Sequence, residues 1–141
     1  MTIRMRDEEV AGFLAQPLHA VMATIAPNGP PQLSPVWFIH DDDRIYISIV
    51  AGCAKQRNLE RDPRLSLCVD GGRNDVRAVM LYGTAELTTT GEELNIWRWR
   101  IIRHYYERES EARKYFESIQ DTQSALVVMT PTRIVSQDFR D

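Results

Sequence analysis

Ile47 to Leu67, ISIVAGCAKQRNLERDPRLSL, holds a complete strand, turn, helix and strand within twenty-one residues. Upstream, Arg44-Ile45-Tyr46-Ile47-Ser48-Ile49 alternates polar and apolar side chains with β-branched and aromatic residues, the period-two signature of a half-buried strand. Gly52 breaks the alternation. Lys55 to Arg61 are polar or good helix formers, and Asp62-Pro63 stops them because the residue before proline is pushed out of the helical region. The expected helix is about two turns long. Its first amides have no intrahelical partner and carry the positive end of the macrodipole, so basic side chains there point to an anion site the size of a phosphate. Lys55 shares a helix face with Asn58, and Arg57 shares the other with Arg61. Lys55, nearer the start and beside Gly52, is the better placed for an anion; a solvated surface helix is the bland alternative.

Working outward, the acidic trio Asp7, Glu8 and Glu9 precedes Val10, Phe13 and Leu14 at helical spacing, which predicts an opening helix from Arg6 to Ala15. His19 to Ile25 reads as a strand. Asn28-Gly29 tolerates positive φ at both positions and predicts a hairpin, with Gln32 to Ile39 returning as one strand whose Pro35 belongs at an edge, bulge or opening. Asp41-Asp42-Asp43 reads as a hairpin tip rather than a metal loop, since it lacks calcium-loop spacing. Leu65 to Val69 and Val76 to Thr88 are further strands, and Gly83 inside the second suggests a bulge or close backbone approach. Ala125 to Met129 and Arg133 to Val135 read as two closing strands separated by Pro131.

Between them, Gly91 to Arg108 turns helical, with its apolar residues on two stripes. Leu94, Trp97, Ile101 and Tyr105 form one; Trp99, Ile102 and Tyr106 form the other, about 200° of rotation separating Trp97 from Trp99. One stripe covers the chain's own core, and the other is expected to meet a partner chain or ligand. A short helix from Ser110 to Ile119 follows. About seven short strands linked mainly as hairpins favour an antiparallel barrel with peripheral helices, mainly β within the α+β class, over a parallel sheet.

At 141 residues the chain is expected to form a single domain, residues 1–141. The formal net charge of −3 argues against a general nucleic-acid binder. No stretch reaches the roughly 18 apolar residues that cross a bilayer, and MTIRMRDEEV lacks a signal peptide's apolar core, so a cytoplasmic chain without membrane attachment is expected. Cys53 and Cys68 are not in a CxxC pair, and His19, His40 and His104 are scattered, so no metal site is expected. Glycine-rich phosphate loops are absent as well.

The segments Ala23 to Phe38 (ATIAPNGPPQLSPVWF), Ala54 to Leu67 (AKQRNLERDPRLSL) and Pro131 to Val135 (PTRIV) resemble the flavin-binding split β-barrels related to pyridoxamine 5′-phosphate oxidase. The resemblance spans nearly the whole chain. It is strongest to the small flavin or deazaflavin oxidoreductases found largely in actinobacteria, where a lysine and an arginine ahead of NLxxDPR are typical.

The resemblance implies a homodimer with cofactor sites at the subunit interface and a bound deazaflavin (coenzyme F420) or, second, flavin mononucleotide (FMN). Carried over by position, Ser34, Pro35, Val36 and Trp37 would face the ring, and Ser48, Ile49 and Val50 would line the strand beside it. Gly52, Lys55 and Asn58 would hold the phosphate, with Arg57 as second candidate. The implied activity is hydride transfer to or from a small conjugated organic substrate, no side chain being required as catalytic acid. Vitamin synthesis is not expected, because Arg133 is the only basic residue of the last strand and the chain closes on SQDFRD. The alternative is a non-catalytic carrier or sensor of flavin, haem or a tetrapyrrole, for which His104 would be the axial ligand to examine first.

Overall fold

The computed structural model describes residues 4–140. Among them, seven strands and four helices follow one another: α1 (Asp7–Leu14), β1 (Ala20–Ile25), β2 (Pro31–Val36), β3 (Ile39–Asp41), β4 (Arg44–Val50), α2 (Ala54–Arg61), β5 (Arg64–Asp70), β6 (Arg77–Thr88), α3 (Glu93–Tyr105), α4 (Glu109–Ser118) and β7 (Ser124–Asp138). The strands form one antiparallel sheet in the order β2-β1-β5-β6-β7-β4-β3. β2 and β3 lie at opposite edges of that order, yet only Trp37 and Phe38 separate them in the chain. Three extended residues span at most about 11 Å, so the sheet must curl until its edges meet, and it stays split where β2 and β3 form no ladder.

Alternation along each strand sets the inside of this split barrel. Ile45, Ile47 and Ile49 of β4, Leu65, Leu67 and Val69 of β5, and Val79 and Leu81 of β6 are all buried. Phe13 and Leu14 of α1 and Leu59 of α2 join the same core. Each fully buried Leu, Ile or Phe contributes about 1.5–3 kcal/mol.

The Asn28-Gly29 hairpin forms, with Gly29 at φ 95°, and Asp42 and Asp43 both take positive φ at the tip between β3 and β4. The stretch Gln32 to Ile39 departs from the single strand expected. β2 ends at Val36 and β3 begins at Ile39, because the chain must turn the barrel's corner between the two edges. Pro35 costs no ladder bond on the outer side of an edge strand. The corner is pinned from α3: the Phe38 amide donates to the Tyr105 hydroxyl (3.1 Å), which donates to the Leu18 carbonyl (2.7 Å). Trp37 stacks on the Tyr105 ring at 4.7 Å.

At the closing end, Pro131 does not divide two strands, and β7 runs unbroken from Ser124 to Asp138. A bulge absorbs the proline: Tyr82 pairs with Arg133 and Gly83 with Pro131, leaving Thr132 as the extra residue. Gly83 is required there, since a Cβ would overlap the Thr130 carbonyl oxygen and lie 2.9 Å from Pro131 Cα.

The two stripes of α3 also resolve differently from expectation. Trp97 stacks on Tyr46 of β4 at 3.7 Å, while Trp99 meets Phe116 of α4 edge-on at 5.4 Å with Arg113 above its ring. Trp99 of the second stripe is therefore covered by this chain's own α4 and needs no partner chain, while Ile102 of the same stripe lines a cavity, the ligand side of the expectation. No described helix is long and apolar enough to cross a membrane.

Candidate functional site

Side chains pointing out of β4 alternate with its buried isoleucines, so Tyr46, Ser48 and Val50 face away from the core toward α3. α3 leans on β4 and is itself covered by α4, and the wedge between helices and strands leaves a cavity of about 630 Å³. One wall is strand: Pro35, Val36 and Trp37 at the end of β2, and Ser48, Ile49 and Val50 of β4. The opposite wall is helical, with Ile101 and Ile102 from α3 and Tyr115 and Ile119 from α4 and its end. His19 stands near Trp37, just before β1, whose Ala20 pairs with Val36. Lys55 and Arg98 supply the cations.

Among the described residues no acidic side chain lines the cavity, and neither Lys55 nor Arg98 has a carboxylate partner. Lys55 is half-buried on the first turn of α2, whose Cys53 N-cap makes no side-chain cap bond. Arg98 is 6% exposed, and burial lowers its pKa, but a guanidinium stays protonated in proteins. The site thus combines a cationic lining with apolar and aromatic walls, suited to an amphipathic anion that carries a flat ring. Among the described residues, no cluster of three or more His, Cys, Asp or Glu could hold a metal.

The family model described as pyridoxamine 5′-phosphate oxidase matches residues 6–138. The chain belongs to the pyridoxamine 5′-phosphate oxidase family. A conserved hypothetical protein from Mycobacterium tuberculosis is similar over 98% of this chain and 88% of its own, at 28% identity and a TM-score of 0.82. An F420 reductase shares the fold at 20% identity and a TM-score of 0.69, over 87% of this chain and 93% of its own. So does the haem storage protein HutZ from Vibrio cholerae, at 19% identity and 0.67, over 94% and 96%.

Of the residues that the family pattern nominated, the structure brings Pro35, Val36, Trp37, Ser48, Ile49, Val50 and Lys55 to one cavity. Ser34, Gly52, Arg57 and Asn58 lie off it, each for a local reason. Ser34 pairs with the fully buried Met22 and sits two residues further from the end of β2 than Val36, which shares its side of the strand. The Gly52 amide donates to Gln56 Oε1 (2.7 Å), and its carbonyl accepts from Arg57 Nη1 (2.5 Å), so loop and arginine satisfy each other. Asn58 is 4% exposed and spends its amide on Thr24 Oγ1 (3.0 Å) and Gln32 Oε1 (2.7 Å), tying α2 to the β1–β2 hairpin. Its Oδ1 accepts from Arg61, which also caps the Ile25 carbonyl. His104 packs edge-on against Tyr105 and does not line the cavity, whereas His19 does.

Sequence reasoning passed over Arg98, Ile101 as a cavity residue, Tyr115, Ile119 and Thr122, whereas Ile102 belongs to the stripe expected to meet a partner chain or ligand. A signal existed in the arginine set between Trp97 and Trp99: on a helix apolar on two sides, the residue between the stripes is enclosed once both are covered. The residues present fit a flavin-type group. The volume falls in the range of about 300–1,000 Å³ usual for small-molecule sites, two strand ends offer a floor for a ring, and Lys55 is a cation with no carboxylate partner among the described residues.

Proposed function

We propose that this chain is an oxidoreductase that binds coenzyme F420, or FMN as second choice, in the α3–α4 cavity and passes a hydride between it and a small conjugated organic substrate. The observation that carries the reading is the cavity itself: strand ends on one side, apolar helices on the other, and, among the described residues, two cations without a carboxylate partner and no acid in the lining. The cofactor, when bound, supplies the hydride chemistry. The chain's own residues do the rest. Pro35, Val36 and Trp37, with Ser48 to Val50, would lie along the ring, and Lys55 would hold its phosphate. Ile101, Ile102 and Ile119 would exclude water from the apolar side.

A homodimer belongs to the same proposal. The outer side of β2-β1-β5 carries Val21 and Leu33 at 43% and 65% exposure, and the adjoining Pro35 lines the cavity. A second copy on that surface would wall the cavity from outside. Carriage of haem or a tetrapyrrole without catalysis is the second reading, and His19 rather than His104 is its candidate ligand because only His19 reaches the cavity.

Titration with F420 and with FMN, followed through Trp37 fluorescence, tests the reading. Saturable quenching by either is expected, and Lys55→Ala should weaken it by about 1.5–3 kcal/mol, the loss of a charge-assisted hydrogen bond. Failure of both cofactors to bind, with haem bound and lost in His19→Ala, would replace the enzyme with the carrier.

A further inference from the structure

The cavity contains a charge that the family pattern did not nominate. Arg98 is almost fully buried on the middle of α3, lines the cavity, and has no carboxylate partner among the described residues. Its Nη1 donates to the Ile119 carbonyl (3.2 Å) and its Nη2 to the Thr122 carbonyl (2.5 Å). A guanidinium has five N–H donors, so those two bonds leave three. Carbonyls offset part of the desolvation of a buried cation, but only an anion cancels its charge.

Arg98 and Lys55 also line the same cavity, near one junction of strands. Val50 pairs with Ser124, and the Ala51 amide donates to the Gln123 carbonyl (2.9 Å), which brings the exit of β4 against the entry to β7. Thr122, held by Arg98, immediately precedes that entry; Lys55 follows the same exit by four residues from Ala51. Both cations line the cavity near this junction, Arg98 from the helix that forms its helical wall.

We propose that Arg98 and Lys55 together form a clamp for one phosphate group at this end of the cavity, Arg98 being an anion-binding residue contributed by the helical wall. The identity of the molecule bearing the phosphate rests on the function proposed above; the clamp does not. Planar, forked N–H groups suit phosphate oxygens, while lysine adds a point charge that adapts to the second side. A purely structural Arg98 would brace the end of α4 and distinguish no ligand by charge.

The test compares wild type, Arg98→Met and Arg98→Lys with FMN and riboflavin, which share ring and ribityl chain and differ by the phosphate. In Arg98→Met the preference for FMN over riboflavin should fall about tenfold while riboflavin affinity holds, and Arg98→Lys should keep most of the preference. An unchanged preference, or equal loss of both ligands, overturns the clamp even with the cofactor reading intact. Inorganic pyrophosphate serves as the probe independent of any ring. It should raise the melting temperature of wild type, and this rise should vanish in Lys55→Ala and Arg98→Met. A pyrophosphate effect without flavin binding leaves the clamp standing and removes the cofactor; no pyrophosphate or FMN effect in wild type overturns the clamp. Should Arg98→Met not fold, the Arg98 side-chain Nε–H resonance, assigned by its absence in Arg98→Lys, decides: it must shift on pyrophosphate addition, and a stationary resonance refutes the contact.

Discussion

The barrel has two outer faces that differ in what covers them. Along β4 the outward Tyr46 and Ser48 are half-buried, with Trp97 stacked on Tyr46 and α4 closing over Trp99, while Val50 at the strand's end lines the cavity and stays exposed. Along β2, β1 and β5 the outward Leu33, Pro35, Val21 and Cys68 form a surface with no helix over it, Val21 standing between Pro35 and Cys68 in the ladders. Both faces obey the same alternation, apolar inward and mixed outward. The difference comes from one long insertion: α3 and α4 lie between β6 and β7 in the chain, and the β4–β7 ladder draws them over β4. A cavity forms on the covered face and reaches Pro35 of the bare one.

The substitution with the largest expected effect attacks the seam between the faces, where β6 pairs with β7. Gly83→Ala places a Cβ against the Thr130 carbonyl and Pro131 backbone, groups that cannot move aside as a flexible side chain would. It should cost about 3 kcal/mol, read by urea unfolding. A loss below about 1 kcal/mol would mean that the bulge relaxes freely and the seam is not rigid.

Next comes the covered face. Trp99→Ala removes a half-buried ring packed on Phe116 and Arg113 of the same chain and should cost about 2–3 kcal/mol, toward the lower end for aromatic truncations because the site is partly open. Sedimentation should show the oligomeric state of the variant unchanged. Dissociation into stable monomers would return this stripe to an interface between chains.

Here lies the limit of what the chain's pattern discloses. Period-two runs located the strands, and Asn28-Gly29, Asp42-Asp43 and Gly83 announced turns and bulge, because those signals act over a few residues. The corner at Trp37-Phe38 was invisible to a local reading: nothing in QLSPVWFI marks where one sheet edge becomes the other, and only closure of seven strands demands it. Pro131 misled for the complementary reason, since a bulge opposite Gly83 absorbed what looked like a break. In the site, the β4 residues and Lys55 were legible through alternation and helix position. Asn58 was not, because its burial depends on Thr24 and Gln32 from a hairpin distant in sequence. The same holds for Arg98, whose enclosure requires α4.

A smaller effect is expected at the corner that joins the two faces. Tyr105→Phe deprives the Leu18 carbonyl and the Phe38 amide of their shared hydroxyl and should cost about 1–2 kcal/mol. Burial pushes the Tyr105 phenol up to about 12. An unfolded tyrosine ionises near pH 10, so between about 10 and 12 the unfolded chain releases a proton that the folded one retains. Stability from this group is complete below pH 10 and is lost as pH rises through that window. Alkaline unfolding of Tyr105→Phe should therefore slope less steeply with pH there than wild type; parallel curves would show that the hydroxyl titrates as if in water.

The smallest effect on the isolated fold is also the one that divides the faces most cleanly. Leu33 is 65% exposed on an edge strand, so Leu33→Asp should leave chemical stability within about 0.5 kcal/mol when measured on dilute monomer. If a second copy covers this surface, the same carboxylate must be desolvated at the interface with no cation at Ala23, the position Leu33 pairs with, and sedimentation should register dissociation. Cofactor affinity should fall with it, because Pro35 on the same strand lines the cavity. A variant that keeps both its assembly and its cofactor would show that the cavity is complete within one chain, and the bare face would then owe its apolar residues to strand propensity alone.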